Sequence, residues 1–347
     1  MILIKTIPGR ISNLKGMNGR ILRIDLSKKK TRVERIPEEW MCKYLGGRGL
    51  AARYYYDEVE ARVDPLSPEN KLIFMTGPLT GVPVFGSTKA YVVAKSPLTE
   101  HYSVTNAGGY FGVNLKHAGY DGLIVEGRSE KPVYISILDG DIEIRDAEAF
   151  WGLKIPEAQD AIREEVGEKN ASVACIGPAG EKLSRIACIL ADSSDRRGGA
   201  FGRGGLGAVM GSKNLKGILV YGTRDIELAD PDKLREYLRG RVKQLKETTG
   251  NHTKYGTLQY TEPLYELGAY PIMNFTRTRV EEGLIERLSV EAMRDRYLVR
   301  DVACYGCPVA CGKVLAAKSG RWSKYKTKVE YETLWSFGPQ CGVFEYD

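Results

Sequence analysis

Histidine is scarce in this sequence and long hydrophobic runs are missing, and each shortage excludes a class of site or protein. The 347 residues include three histidines, His101, His117 and His252, which are not grouped and therefore indicate no histidine metal site. No apolar run approaches the roughly 20 residues that a membrane-spanning helix requires. We therefore expect no membrane association and predict a cytoplasmic protein.

Positive charge is only mildly in excess over negative charge. The formal net charge is +7, and the basic residues are interleaved with acidic ones rather than massed in one block. Such a pattern does not predict nucleic-acid binding, and it is equally compatible with an anionic cofactor or an acidic protein partner. Near the N-terminus, Lys5 and Pro8 interrupt the apolar residues and no small-residue cleavage site follows. Residues 1–16 are therefore interpreted as an N-terminal extension rather than as a secretory signal.

The periodicity of apolar residues predicts an α+β protein. Residues 19–26 alternate between apolar and polar side chains, as a half-buried strand does. Helices are predicted at residues 48–59 and 156–166, which are too few for regular βαβ alternation. A sheet-based first domain is therefore expected over residues 17–225. Further short apolar runs predict strands at 72–76, 91–94, 122–126, 133–138, 141–145, 172–176, 187–190 and 217–221.

The pattern changes to a helical one near residue 226. Residues 230–248 carry a stripe of apolar side chains at helical spacing, and residues 256–268 and 289–298 also have helical patterns. We expect the start of an all-α domain over residues 226–347, which is still incomplete at the last residue.

Three of the seven cysteines lie within eight residues of one another, at Cys304, Cys307 and Cys311. Thiolates gathered in one loop suit a soft metal centre, above all an iron–sulfur cluster. A structural zinc site is the alternative, but zinc sites usually have a second pair of ligands at short spacing, which is missing here. A four-iron cluster normally needs a fourth cysteine, which this stretch does not supply. The cysteines that sit singly in apolar surroundings are interpreted as buried free thiols: Cys42, Cys175 and Cys188.

Two glycine-rich stretches predict an anion site. Residues 198–211 are dense in glycine and have basic flanks, and backbone N–H groups can close on a phosphate where no Cβ blocks the approach. Residues 106–112 form a second such cluster. We predict that the two stretches meet in space, although a turn-rich loop is the alternative for each. Residues 202–207 also fit the dinucleotide fingerprint G-x-G-x-x-G, but the polar residues 191–198 do not predict the strand that should precede it. The basic flanking residues are Arg196, Arg197, Arg203, Lys213 and Lys216.

Glu330 and Glu332 are a candidate pair of acid/base groups. Residues two apart share one face of an extended segment, and the apolar residues 334–337 that follow raise the prospect that one carboxylate is buried and able to move protons. Solvated surface acids are the alternative interpretation.

These motifs, in this order, resemble the aldehyde ferredoxin oxidoreductase family of tungsten enzymes. The similarity is nearly continuous from about residue 17 to residue 345. It implies a sheet domain that forms the base under one pterin, with helical domains completing the site. The matching motifs lie at residues 19–26, 45–51, 64–72, 76–81, 95–99, 108–112, 118–122, 176–181, 202–216 and 304–311.

The resemblance also implies cofactors, a reaction and a set of site residues. The implied cofactors are a tungsten bis-pterin (tungstopterin), a magnesium ion bridging its phosphates, and a [4Fe–4S] cluster. The implied reaction oxidises an aldehyde to a carboxylic acid and passes the electrons to ferredoxin. Glu332 would act as the general acid/base, and the cluster ligands would be Cys304, Cys307 and Cys311. The residues implied to contact the pterin, its phosphates or magnesium are Lys89, Asn106, Gly108, Ala200, Gly202 and Arg203.

The chain departs from the family pattern in three places. Lys89 stands where a pterin-contacting arginine is common, and the segment 192–199 is longer than usual, which puts the roles of Arg196 and Arg197 in doubt. Family members supply the fourth cysteine and the second pterin's contacts from a part beyond the last residue of this sequence, and Cys341 aligns with a non-ligand position. A truncated product, one half of a split gene and a working minimal protein all stay open, and activity is expected as part of a longer or two-chain enzyme, with a separate C-terminal chain as one form of it. A homo-oligomeric assembly is also expected.

Two other functions stay open from the sequence. One is a non-catalytic iron–sulfur module for electron transfer, or a scaffold fragment. The other is a nicotinamide-dependent oxidoreductase that uses the fingerprint at residues 202–207.

Overall fold

Two six-stranded sheets form the larger part of the fold. The computed structural model describes residues 14–192, 198–281, 283–321, 323 and 325–345, so Arg196 and Arg197 lie outside the described residues, as does most of the N-terminal extension. In chain order the strands of the first sheet are β1 (Arg20–Asp25), β2 (Lys30–Arg35), β3 (Leu72–Thr76), β4 (Ala90–Lys95), β5 (Tyr102–Ala107) and β6 (Gly122–Glu126). Those of the second sheet are β7 (Val133–Leu138), β8 (Asp141–Asp146), β9 (Ser172–Cys175), β10 (Ile189–Ala191), β11 (Gly199–Phe201) and β12 (Leu215–Tyr221).

Both sheets contain parallel as well as antiparallel strand pairs, and each has at one edge a strand that contributes to the candidate functional site described below. The spatial order of the first sheet is β2-β1-β6-β3-β4-β5, and that of the second is β11-β10-β9-β12-β7-β8. Only the pairs β1/β6 and β7/β12 are parallel among the described strand pairs. β5 and β11 are therefore edge strands, which leaves backbone groups available at those two edges.

The core lies in layers above, between and below the two sheets. Apolar residues of both sheets pack face to face in the central layer, which includes Leu22, Phe74, Val92, Ile135 and Ile218. Helices cover the outer faces, so β3 (LIFMT) is buried along its whole length. A continuous apolar run is typical of such a strand, because both of its faces are covered.

Helices connect and cover the sheets. The first of them begins after β2 and the last follows the final strand. In chain order they are α1 (Glu38–Tyr44), α2 (Gly47–Glu58), α3 (Phe111–His117), α4 (Ile155–Val166), α5 (Pro178–Glu181), α6 (Leu206–Ser212), α7 (Pro231–Thr248), α8 (Gly250–Tyr255), α9 (Thr261–Glu266), α10 (Val290–Tyr297) and α11 (Tyr331–Phe337).

The bounds of α4 and α7 confirm the start and stop signals in the sequence. Pro156 lies in the first turn of α4, and Gly167 ends the helix with a φ of 79°, a left-handed conformation that glycine adopts without strain. The Asp230 side chain accepts a hydrogen bond from the Lys233 N–H and so caps α7. The apolar stripe of α7 is half-buried at Leu234, and no residue of this helix is fully buried.

The second part of the chain is not made of helices alone, which corrects the expectation of an all-α domain. Its three strands are β13 (Leu298–Val302), β14 (Gly312–Leu315) and β15 (Thr327–Lys328), which form an antiparallel sheet in the order β13-β14-β15. Val314 and Leu315 of β14 are buried, but only two residues of β15 are paired. Strands this short carry little periodic signal. The overall α+β class is confirmed.

No helix among the described residues is long and apolar enough to cross a bilayer. The longest, α7, carries charged residues along most of its surface.

Lys213, which follows α6, gives the fold a testable dependence on pH. Its side chain is 0% exposed, and its ammonium donates to the carbonyls of Pro68 and Gly127, each at 3.1 Å. Burial lowers the pKa of Lys213 to about 7. Between pH 7 and the usual lysine pKa, Lys213 is mostly protonated in the unfolded chain but mostly neutral in the folded one. The free energy of unfolding therefore increases as the pH rises through this range.

We predict that the free energy of unfolding increases by about 2 kcal/mol more in the wild type than in Lys213→Met between pH 7 and pH 9. Urea denaturation at both pH values measures the difference. Identical pH dependence in the two proteins would contradict the burial of a titrating ammonium.

Candidate functional site

The edges of the two sheets meet where the sequence predicted an anion site. A Cβ built on Gly199 in β11 would lie 3.1 Å from the backbone nitrogen of Gly108, which follows β5. The Arg203 N–H also lies 3.4 Å from the Thr105 hydroxyl in β5 and donates to it. The prediction that the two glycine stretches meet is confirmed. We call residues 105–109 and 199–204 together the seam.

All six residues predicted to contact the cofactor lie at the seam or next to it. Lys89 precedes Ala90, whose partner in the neighbouring strand is Ala107, so Lys89 lies opposite the end of β5 at Gly108. Gly108 is half-buried, and the other five residues are exposed: Lys89, Asn106, Ala200, Gly202 and Arg203. The seam therefore presents two cationic side chains and exposed backbone to solvent, which suits an anionic ligand.

The glycines of residues 198–211 have different roles. Gly204 has a φ of 80°, and a Cβ there would collide with the Ser103 hydroxyl. At Gly202 a Cβ would meet nothing nearer than Ala200 Cβ at 3.8 Å. Gly204 therefore serves the close approach of the chain to β5, whereas Gly202 is open toward a ligand.

The fingerprint at residues 202–207 does not lie in a dinucleotide-binding fold. Contrary to the sequence prediction, a short strand, β11, does precede Gly202, and α6 follows it. However, β11 pairs antiparallel with β10, and the next strand, β12, lies between β9 and β7. The dinucleotide motif needs two neighbouring parallel strands joined by the helix. The geometry thus gives the nicotinamide hypothesis no support.

The cysteine loop, residues 304–311, connects β13 to β14 and packs against the sheet domain. The Cys304 sulfur lies 3.6 Å from a Cβ built on Gly108, and a Cβ on Gly306 would lie 3.0 Å from Pro83 Cα. The Cys307 N–H donates to the Cys304 carbonyl at 3.1 Å, which forms a turn between the first two thiols. The loop therefore lies at the junction of the two parts of the chain, beside the seam.

The three thiols share this loop without being gathered into a ready metal site. Cys304, Cys307 and Cys311 are each half-buried, and among the described residues no three His, Cys, Asp or Glu side chains are close enough to hold a metal. Cys341 is exposed, and its thiol donates to the Ser336 carbonyl at 3.3 Å. A role of the loop as cluster ligand stays a prediction.

The single cysteines divide into two kinds. Cys175 is buried, and burial raises the pKa of its thiol to about 12, so it is inert at neutral pH. Cys188 is half-buried, and burial raises its thiol pKa as well. Cys42 is exposed on α1, so the interpretation as a buried thiol is wrong at that position.

Glu330 and Glu332 do not lie in one extended segment as predicted. Residues 331–337 form α11, and Glu330 is its N-cap residue. Glu330 keeps an extended backbone, whereas Glu332 lies in the first turn of the helix. Glu330 accepts a hydrogen bond from the Thr257 hydroxyl at 2.6 Å, and Glu332 is exposed in the first turn. The expected burial of one acid is not found, and the role of Glu332 stays a prediction.

The residues around Glu332 contact the cysteine loop on one side and, on the other, the chain segment that precedes the seam. A Cβ on Gly256 would collide with the Cys311 carbonyl, and the next residue, Thr257, bonds to Glu330. On the other side, the Lys328 ammonium donates to the Asp192 carbonyl. α11 thus begins beside the loop and close to the chain that leads into the seam.

Sequence reasoning missed two threonines that shape the seam. The hydroxyl of Thr105 accepts from the Arg203 N–H, and the hydroxyl of Thr88 accepts from the Gly109 N–H at 3.3 Å. Their sequence signal is only a β-branched polar residue beside a glycine cluster, which many exposed strands share.

Comparisons with known proteins show to which family the chain is similar. The chain matches the family profile "Aldehyde ferredoxin oxidoreductase, N-terminal domain" over residues 21–222 and "Aldehyde ferredoxin oxidoreductase, domains 2 & 3" over residues 233–347. It is 45% identical over 328 residues to a tungsten-containing aldehyde ferredoxin oxidoreductase of Pyrococcus furiosus, covering 94% of this chain and 53% of that protein. It is 43% identical over 333 residues to the protein of the same name from Thermococcus kodakarensis, with the same coverage of 94% and 53%.

A solved structure and a more distant relative extend the similarity. The active-site complex BamBC of benzoyl coenzyme A reductase superimposes with a TM-score of 0.83 at 29% identity, covering 95% of this chain and 51% of that chain. The WOR-like subunit of an aliphatic sulfonate oxidoreductase from Pyrococcus furiosus is 33% identical over 350 residues. The chain spans about half the length of the curated relatives it matches. The seam, the cysteine loop and these similarities together identify the chain as a member of the aldehyde ferredoxin oxidoreductase family.

Proposed function

We propose that this chain provides the pterin-binding sheet domain and the cysteine loop of a cytoplasmic enzyme that oxidises aldehydes to carboxylic acids and passes the electrons to ferredoxin. The observation that carries the proposal is the position of Gly108, which contacts Gly199 across the seam and lies beside the Cys304 sulfur. The seam and the cysteine loop are thereby adjacent, as a redox cofactor next to an electron-collecting cluster would require. Family membership supports the same reaction class.

The residues at the seam fit a phosphate-bearing pterin. Lys89 and Arg203 supply positive charge, and the exposed, unobstructed backbone at Gly202 allows close approach of an anion. Asn106 would offer its carbonyl to magnesium, and Ala200 would line the phosphates. When bound, tungstopterin would supply the two-electron redox chemistry. The chain's own contribution is to orient the cofactor and neutralise its phosphate charge.

The cysteine loop fits a [4Fe–4S] cluster in part. Thiolates are the ligands that such clusters use, and Cys304, Cys307 and Cys311 occupy one loop. The fourth ligand is not in this loop, and the three thiols are not gathered among the described residues. Occupation would therefore require the loop to close around the metal, with one ligand from elsewhere in the enzyme.

Glu332 is the proposed acid/base group. Its side chain is exposed on α11, where it can face a substrate or a further part of the enzyme. Proton transfer by a positioned carboxylate suits addition of water to a carbonyl. Glu330 is less suited to this role because its carboxylate is already bonded to the Thr257 hydroxyl.

Aldehyde oxidation after anaerobic reconstitution with the C-terminal part of a relative tests the proposed function. We expect tungsten-dependent oxidation with a low-potential one-electron acceptor such as ferredoxin. A reconstituted protein that holds tungsten and iron but oxidises no aldehyde would favour the alternative of a non-catalytic electron-transfer module. Ferredoxin as partner, a separate C-terminal chain and a homo-oligomeric state are further parts of the proposal.

The seam predicts a specific pair of variants at Gly202. Gly202→Asp should fold, because the position is open, but should weaken binding of inorganic pyrophosphate roughly tenfold or more through like-charge repulsion. Gly202→Ala is the matched control and should bind pyrophosphate nearly as the wild type does. Calorimetric titration measures the affinities. Equal binding by Gly202→Asp and Gly202→Ala would mean that phosphate does not bind at the seam.

A further inference from the structure

The second part of the chain exposes a group of large apolar side chains, which we call the apolar patch. Its members are Met273 and Val343, each 43% exposed, Phe275, 68% exposed, and Phe337, 79% exposed. Single exposed apolar residues are ordinary on a protein surface, whereas contiguous ones mark a surface that another molecule covers. The function of the patch therefore depends on whether the four side chains are neighbours.

Backbone hydrogen bonds hold the two segments of the apolar patch side by side. The N–H groups of Met273 and Asn274 donate to the carbonyls of Pro339 and Gln340, each at 2.9 Å. A Cβ built on Gly342 would lie 2.8 Å from the Met273 sulfur. The first segment of the patch thus lies directly against the second.

The second segment folds back on itself, which brings its own two members together. The Val343 N–H donates to the Gly338 carbonyl at 3.0 Å, and Gly338 is the residue after Phe337. The four apolar side chains consequently belong to one continuous region of the surface.

An uncommon backbone conformation carries two members of the patch. Met273, Asn274 and Phe275 have φ values of 47°, 54° and 61°, which is the left-handed region that residues other than glycine rarely adopt. Such residues persist where surrounding contacts fix them, as the hydrogen bonds to residues 339–340 do here. Phe275 gains little burial in return, so packing within the chain does not explain the conformation. A constraint from a binding surface does explain it.

The apolar patch shares a helix with the proposed acid/base group. Phe337 is the last residue of α11, and Glu332 lies in its first turn. Both side chains are exposed, whereas Leu334 between them is 7% exposed and packs inward. A molecule seated on the patch would therefore lie on the helix that carries Glu332.

The size of the nearby core and the length of the relatives indicate what covers the patch. The buried apolar clusters of the second part of the chain are much smaller than the central layer of the sheet domain. Because this chain spans about half the length of the relatives it matches, those proteins contain a further part that could pack here. An exposed apolar surface beside a small core suits such a part, which would enlarge that core.

We propose that the apolar patch is the docking surface for the C-terminal part of the enzyme. The proposal rests on the proposed function, from which it takes the existence of that part. Phe275 and Phe337 are the anchors, because large aromatic side chains contribute most to the binding energy at interfaces. Docking at this position brings the C-terminal part onto α11 and so next to Glu332.

Co-purification tests the docking surface without metal or aldehyde chemistry. The full chain with an affinity tag is co-expressed, without added tungsten, with the C-terminal part of the Pyrococcus furiosus relative, and the molar ratio of the two is measured. We expect an equimolar complex for the wild type. The double variant Phe275→Ser/Phe337→Ser should retain roughly tenfold less of the C-terminal part, or lose it altogether.

The matched control is Tyr56→Ser, because Tyr56 is an aromatic residue that is 80% exposed on α2 of the sheet domain. This variant should retain the C-terminal part as the wild type does. Thermal melting followed by circular dichroism verifies that each variant is folded, which is expected since the substituted side chains are exposed. The proposal is overturned if the wild type retains no C-terminal part, or if the double variant retains as much as the wild type.

Sedimentation of the chain by itself tests whether a second copy covers the patch instead. We expect the double substitution to leave the sedimentation coefficient unchanged. A wild-type dimer that the double substitution dissociates would overturn the proposal in favour of self-association. A complex that forms through the patch but oxidises no aldehyde after reconstitution would contradict the proposed function and support the docking surface.

Discussion

Glu332→Gln is expected to lower aldehyde turnover by about 10²- to 10⁴-fold in the reconstituted enzyme, because an amide cannot accept the proton that the carboxylate would take. The substitution changes neither the seam nor the cysteine loop. Tungsten and iron contents should therefore stay at wild-type levels. Steady-state kinetics with a low-potential acceptor, together with metal analysis of the same preparation, measures both effects.

The control for this substitution is Glu262→Gln. Glu262 is also an exposed glutamate in the first turn of a short helix, α9, and should be replaceable without loss of activity. Full activity of Glu332→Gln would remove this residue from the reaction. Loss of metal together with activity would instead show that Glu332 acts in cofactor retention.

Lys116→Met is expected to lower the free energy of unfolding strongly, which is the second large effect. Lys116 and Asp121 form an ion pair whose side chains are both 0% exposed. Asp121 also accepts from the backbone N–H of Gly19 at 2.6 Å, and Lys116 donates to the Gly77 carbonyl at 3.2 Å. Burial lowers the pKa of Lys116, and the Asp121 carboxylate opposes that shift. Removing the cation leaves a buried carboxylate without its counter-charge, which costs about 3–5 kcal/mol.

Urea denaturation measures this loss, and an exposed pair provides the comparison. Lys43 pairs with Glu39 one turn away on α1, and both side chains are more than half exposed. Lys43→Met should leave the free energy of unfolding nearly unchanged, because solvent screens an exposed pair. A loss of similar size in Lys43→Met and Lys116→Met would contradict the importance of burial in this pair.

The sequence predicted the buried strands well because their signal is local. β3 is a continuous apolar run, and its predicted and observed bounds coincide at residues 72–76. α4 begins and ends at the residues that its proline and glycine indicate. In these elements the local preference and the tertiary environment agree, so the pattern alone is sufficient.

The strands that build the seam were missed for the opposite reason. β5 reads YSVTNA and β11 reads GAF, and both lie at sheet edges where polar residues and glycine replace the apolar alternation. α6 was also missed, because glycines lower helix propensity. Here glycine serves close packing: a Cβ on Gly207 would lie 2.5 Å from the Cys188 carbonyl.

The sequence could predict which residues belong to the candidate site but not how they are arranged in space. Motif resemblance named the residues of the seam and the cysteine loop, and the structure brings Gly108, Gly199 and Cys304 together. No periodic pattern could show that contact, because the residues are separated by about a hundred positions each. The direction of Glu332 depended on whether residues 331–337 form a strand or a helix, and only the structure decides that.

We propose that the seam would hold a tungsten centre and that the cysteine loop would hold an iron centre beside it. Anaerobic purification of the chain together with the C-terminal part of a relative, followed by tungsten, iron and zinc analysis, tests it most directly. We predict that tungsten and iron are both retained, that Cys304→Ala loses iron but keeps tungsten, and that Gly202→Asp loses tungsten. Retention of zinc instead of iron, or of iron in Cys304→Ala at the wild-type level, would contradict the account.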